Sequence, residues 1–209
     1  MSCFNHIVDF YENNDYTIKI ENLQNKKYRY KCSPSGVQSN FSHFNVSKEF
    51  EDKIYEFEIQ HNLSVQSSHT TELFTTPDIC IINKGSFKET TEYYETKRRF
   101  CYVENNDLMT FCEVKHFNPF PELIFNFIGI LNELQKDILT NNPEIKFPIH
   151  IAPSLMISGK PNKQTEKIKL ELENRYCINI IFDMFNSGMQ TFSKSKNGKL
   201  KTTGKMSSS

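Results

Sequence analysis

The chain has 209 residues, 37% of them hydrophobic and 18 of them phenylalanine, enough for one ordinary core and too many for wholesale disorder. Lysine plus arginine and aspartate plus glutamate each number 25, so the formal net charge is zero. That balance argues against a protein that grips nucleic acid by overall charge, while a local basic patch stays open.

The opening "MSCFNHIVDFYENND" has no basic region leading into a long apolar core, so no signal peptide is expected. No window reaches the roughly 18 apolar residues of a membrane span. Six cysteines (Cys3, Cys32, Cys80, Cys101, Cys112, Cys177) are scattered without a CxxC pair, which supports neither a zinc cluster nor a disulfide framework. Reduced thiols in a cytoplasmic protein with no membrane association are the reading that follows.

Phe4, Ile7, Val8 and Tyr11 predict a short amphipathic helix over 3–12. Residues 16–32 alternate on both sides of a polar turn and read as a hairpin, followed by a loop over 33–46. From Tyr55 to Val65 the alternation predicts one strand whose other face, with Glu56, Glu58, Gln60 and Asn62, is wetted. "PDICIIN" (77–83) is a shorter strand with its proline at the first position. Residues 84–98 are charged and turn-like.

Residues 99–115 read as a second hairpin around Asn105-Asn106. In its second arm Leu108, Thr110, Cys112 and Val114 share one face, and Met109, Phe111, Glu113 and Lys115 the other. Pro121 opens a helix over 121–142 with a stripe of Phe120, Ile124, Phe127, Leu131, Leu134 and Ile138. A strand (148–157), a helix (162–175, with Ile168, Leu172 and Tyr176 in line) and a last strand (177–183) complete a βαβαβ unit, which demands parallel strands. The expected architecture is one α/β domain over 1–185: a mixed central sheet flanked by helices, with an N-terminal helix and hairpin. Residues 186–209, rich in Gly, Ser and Lys, read as a disordered basic tail.

Three charges sit inside the apolar pattern: Asp78 at the mouth of one strand, and Glu113 and Lys115 two apart in another. Two carboxylates on neighbouring strands suit Mg²⁺, a hard cation that takes one or two carboxylates plus waters and phosphate oxygens. A lysine on the same face can orient an attacking water and offset charge on a phosphate. The string ExK also occurs at Glu51–Lys53, Glu95–Lys97 and Glu144–Lys146. Only the copy at 113 lies in an apolar strand after the chain's sole Pro-Asp and before a long helix. The bland reading of the same residues is a strand-start turn and a strand-end salt pair.

Pro77-Asp78 followed by Glu113-Val114-Lys115 with a helix behind resembles the PD-(D/E)xK nuclease superfamily, in order of elements over about 55–183 and by three residues as motif. The resemblance implies a restriction-endonuclease-like core and Mg²⁺-dependent cleavage of DNA (Mn²⁺ as substitute). It implies Asp78 and Glu113 as catalytic metal ligands and Lys115 as the residue that assists the water. It also implies a role of bacterial restriction or defence for a small stand-alone member, as homodimer or with a partner subunit. His116 and the basic cluster Lys97, Arg98 and Arg99 are then candidates for nucleic-acid contact. The family's further acidic residue has only Glu72, Glu56 and Glu12 to fill it, and its helical glutamine only Gln135. The rival reading is the same fold as a catalytically inactive binding or interaction module.

Overall fold

The computed structural model describes residues 2–91, 99–140 and 148–204. Helix α1 (Ser2–Asn13) buries Phe4, Ile7, Phe10 and Tyr11 along one stripe, each burial contributing ~1.5–3 kcal/mol. Strand β1 (Thr17–Glu21) pairs antiparallel with β2 (His43–Phe50) rather than with residues 28–32. The expected hairpin over 16–32 reduces to an isolated bridge between Gln24 and Lys27, and the loop expected over 33–46 ends early because residues from His43 belong to β2.

The first true hairpin lies one strand later. Glu51 and Asp52 both take positive φ (50° and 61°) and join β2 to β3 (Lys53–His61) through a two-residue turn whose twist matches that of the strands. The alternation from Tyr55 to Val65 is not one strand either. Asn62, at φ 45°, breaks it in the left-handed conformation that asparagine tolerates, and the chain leaves for a second sheet as β4 (Ser64–Gln66).

That second sheet holds β5 (Phe74–Thr75), β4, β8 (Phe100–Val103) and β7 (Lys88–Thr90), in the order β5-β4-β8-β7. The main sheet has seven strands, β1-β2-β3-β6-β9-β11-β12, with β6 (Ile79–Asn83), β9 (Leu108–Lys115), β11 (Ser154–Ile157) and β12 (Asn179–Ile181) completing it. The hairpin expected around Asn105-Asn106 is therefore absent: β8 and β9 leave that turn for different sheets. The strand expected over 148–157 likewise divides, into β10 (His150–Ile151) and β11.

The β6–β9 pair is antiparallel and irregular between Ile81 and Ile82. Leu108 and Phe111 consequently pack in one core while Met109 and Cys112 pack in the other, which corrects the strict alternation expected for this strand. Beyond β9 the pairing turns parallel, β9 with β11 and β11 with β12, as the βαβαβ pattern requires. The crossovers are α2 (Pro121–Leu139) and α3 (Lys163–Arg175). Ile124, Phe127, Leu131, Leu134 and Ile138 of α2 are buried as expected, while Phe120 stands half-exposed. Asn162 caps α3 reciprocally with Thr165. The molecule is thus an α/β fold with a large mixed sheet between two cores, one under α2 and α3, the other under α1.

Residues 186–204 are not a free tail. Helix α4 (Met184–Thr191) buries Met184 and is followed by buried Phe192, which stacks on His6 of α1 at 5.4 Å. Strand β13 (Thr202–Thr203) pairs with β10. Lys201 is held too: its backbone N–H donates to Asn179 Oδ1 at 2.8 Å and its ammonium to the carbonyl of Tyr176 at 2.9 Å. A few apolar residues spaced along a polar segment were enough to anchor it. All six cysteines are free, and Cys80, Cys101 and Cys112 are buried. Among the described residues no helix is long and apolar enough to cross a membrane.

Candidate functional site

One edge of the main sheet gathers the C-terminal ends of the parallel strands β9, β11 and β12, and the antiparallel pairing of β6 with β9 brings the start of β6 there as well. Ligands of α/β folds bind at such an edge, because the strand-end loops converge there. Ile79 pairs with Cys112, so Asp78 and Glu113 stand one position beyond the last pair, on adjacent strands. The two-residue period then returns Lys115 to the side of Glu113.

The three side chains meet. Lys115 Nζ donates to Glu113 Oε2 at 2.6 Å and to Asp78 Oδ2 at 3.2 Å. Asp78 Oδ2 also accepts the backbone N–H of Val114 at 2.7 Å, which fixes the carboxylate against β9. Glu113 is the deepest, its side chain 5% exposed against 30% for Lys115 and 35% for Asp78. Burial pushes the Glu113 carboxyl up to about 7, with the Asp78 carboxylate adding to the rise and Lys115 opposing it. Burial alone would lower Lys115, but its hydrogen bonds and charge contacts with Glu113 and Asp78 more than offset that and raise it.

Lys115 uses one oxygen of each carboxylate, which leaves each with a second oxygen for a cation. The pair therefore fits Mg²⁺, which needs no more than two protein carboxylates. It does not fit a metal that demands a full set of protein ligands: among the described residues no three His, Cys, Asp or Glu side chains converge. Of the acidic candidates, Glu72 and Glu12 are exposed and Glu56 is paired with Lys84 at 2.7 Å. Gln135 is not at the site. It sits at a break in α2 and donates to the carbonyl of Met109, toward the opposite end of β9.

His116 is exposed beside Lys115 and meets Phe185 edge-on at 5.5 Å. Arg99, immediately before β8 of the second sheet, pairs with Glu89 at 3.4 Å; Lys97 and Arg98 lie outside the described residues. Lys84 and Lys88 of the same basic stretch are paired with Glu56 and Glu104. The described part of that cluster is thus neutralised on the surface rather than turned toward the triad.

A buried polar chain runs behind Asp78. Lys31, 3% exposed, donates to Gln38 Oε1 at 2.8 Å and to the carbonyl of Asn62 at 2.9 Å. Gln38 donates to Gln60 at 2.7 Å, and Gln60 to Glu58 at 2.8 Å. Glu58 and Gln60 are not on a wetted face, as their alternation suggested, but 5% and 2% exposed. Burial lowers the pKa of Lys31. Asp78, Lys31, His61 and Tyr30 line a common cavity of about 230 Å³. Asn62 is the joint between this network and the triad, because its N–H donates to the carbonyl of Asp78 and its side-chain amide to that of Lys31. No family model, no curated protein and no solved structure matches the chain.

Proposed function

We propose that the protein hydrolyses phosphodiester bonds, in DNA, with Mg²⁺, and that its sheet and crossover helices form a restriction-endonuclease-like core. One observation carries this reading: an ammonium bridging two carboxylates at the strand-end edge of a mixed sheet, in the order Asp78, Glu113, Lys115. Asp78 and Glu113 would hold the ion through the oxygens that Lys115 leaves. The ion would supply a Lewis acid for the phosphoryl group and a more acidic water. Val114 N–H keeps Asp78 in place, and Lys115 is positioned to orient the water and to offset charge developing on the phosphate.

A second reading, a nuclease-like binding module without catalysis, is favoured by the lack of a third acidic side chain beside the pair among the described residues. Cleavage assays on plasmid and single-stranded DNA with Mg²⁺ or Mn²⁺ separate the two. Metal-dependent nicking by the wild type that Lys115→Ala abolishes is the expected result. Failure of both proteins under several metals and substrates would favour the module, and cutting that survives in Lys115→Ala would remove the triad from the chemistry.

A further inference from the structure

Beside Lys115 lies an aromatic surface that the triad does not use. Phe185, in the first turn of α4, is 69% exposed, and Met189, one turn on, is 81% exposed. The helix spends Met184 on the core, and the chain after it buries Phe192, so Phe185 and Met189 share an outer face with no packing role. His116 stands across from Phe185 with its ring edge-on, and Phe117 beside it is 65% exposed. Lys115, His116, Ser158 and Phe185 line one cavity of about 200 Å³. That is smaller than the ~300 Å³ at which drug-sized sites begin, and suits one planar group.

This surface is held in register with the triad by backbone bonds. Ser158 N–H donates to the carbonyl of Lys115, Gly159 N–H to that of Phe117, and Asp183 N–H to that of Gly159, each at 3.0 Å. Gly159 permits the approach, since a Cβ there would lie 2.4 Å from the Phe117 carbonyl oxygen. Asp183, at φ 55°, then turns the chain from β12 into α4, and its carboxylate accepts from the Asn186 side chain at 2.7 Å. The backbone that carries Phe185 is therefore tied through β11 and the 158–159 turn to the backbone of Lys115.

Resting on the nuclease reading above, we infer that the substrate is single-stranded DNA and that Phe185, with His116, is the shelf on which the base next to the scissile phosphate stacks. Bases inside a duplex are stacked on one another and cannot reach such a shelf, whereas a single strand offers them freely, and every base has a face to stack. The charge distribution agrees. The chain has no net charge, and the described cations of the 84–99 stretch, Lys84, Lys88 and Arg99, are paired with carboxylates, so the described part of that stretch offers a duplex backbone little uncompensated charge. Among the described residues the strand-end edge carries Lys115 itself, with exposed Lys160 and Lys163 after β11. Stacking, rather than charge, supplies the affinity.

The test uses the full chain and two readouts. Anisotropy of a labelled short oligothymidylate in EDTA, against a duplex of equal length, reads binding without cleavage; Mg²⁺ or Mn²⁺ assays on both substrates read the chemistry. The single strand is expected to bind more tightly and be cut faster. Phe185→Ala should weaken its binding roughly five- to hundredfold, the contribution of one base–aromatic stack, while Phe185→Tyr keeps it. Single-strand binding unchanged in Phe185→Ala, with DNA still cut, would overturn the shelf and leave the nuclease reading standing. Binding lost in Phe185→Ala but no cutting by any variant would keep the shelf and remove the nuclease. Absence of oligonucleotide binding, or a need for Phe185 only in self-association seen by light scattering, would overturn the inference.

Discussion

At Glu113, burial acts against ionisation while Lys115 acts for it, and the carboxyl rises from its ordinary 4.5 to about 7. Between those two values the folded, metal-free protein holds a proton that the unfolded chain has released. Its contribution to stability is therefore full below about 4.5, falls as pH rises through the window, and is lost above about 7, by ~3 kcal/mol at most. His61, held down to about 3 chiefly by burial, runs the other way and gains stability as pH rises toward its ordinary 6.5. The wild-type curve alone is thus flattened, and the informative quantity is the difference between wild type and Glu113→Gln. Urea midpoints in EDTA should show that difference shrinking or reversing from about pH 5 to about pH 8. Mg²⁺ should then stabilise the wild type more at the higher pH and leave Glu113→Gln unmoved. A pH-independent difference, with no response to metal, would make the triad a plain ion pair. The placement of Glu113 and Lys115 was legible because period-2 geometry holds along a strand end whatever its neighbours. Lys31, Glu58 and Gln60 were not, because they alternate like a wetted face and only the second sheet and the 31–38 segment above them decide otherwise.

Elements show the same division between local and non-local causes. Helices α1, α2 and α3 and the parallel strands were readable, since a stripe or an apolar run is a property of the segment itself. Partner choice was not. The Asn105-Asn106 turn predicts a change of direction, but β8 pairs with β4 and β7 while β9 joins the main sheet. Conversely, Glu51-Asp52 carries no glycine or asparagine to announce the turn it makes. Helix α4 was hidden because its anchors, Met184 and Phe192, stand eight positions apart in a polar sequence. Their weight can be measured. Phe192→Ala should cost ~3–5 kcal/mol, as expected for a buried phenylalanine stacked on another ring, and Met189→Ala within ~0.5 kcal/mol of nothing. Denaturant midpoints of the two variants decide it: equal, small losses would return residues 186–204 to the status of a tail. Gly159→Ala probes the link from this helix to the triad. Its Cβ would force residues 117–118 and 159 apart, so activity should fall with the Lys115 side chain still present, and a fully active variant would show that the strand-end loops tolerate the shift.

The whole molecule has no net charge, which bounds how a protein of the proposed function would hold a polyanion. Each phosphate neutralised on a single strand contributes a slope of about −0.7 to log K against log salt. The strand-end edge offers Lys115, partly committed to two carboxylates, and exposed Lys160 and Lys163, while the described cations of the 84–99 stretch are already paired. Two or three phosphate contacts are therefore the most that the described edge can make, for a slope of about −1.5 to −2. Titrations of the oligothymidylate across a salt series in EDTA measure it directly. A slope in that range, insensitive to Phe185→Ala while the absolute affinity drops, would show stacking and charge acting as separate contributions. A slope steeper than about −4 would require more phosphate contacts than the described strand-end edge can make. Lys97 and Arg98, adjacent cations outside the described residues, would then be the first to substitute.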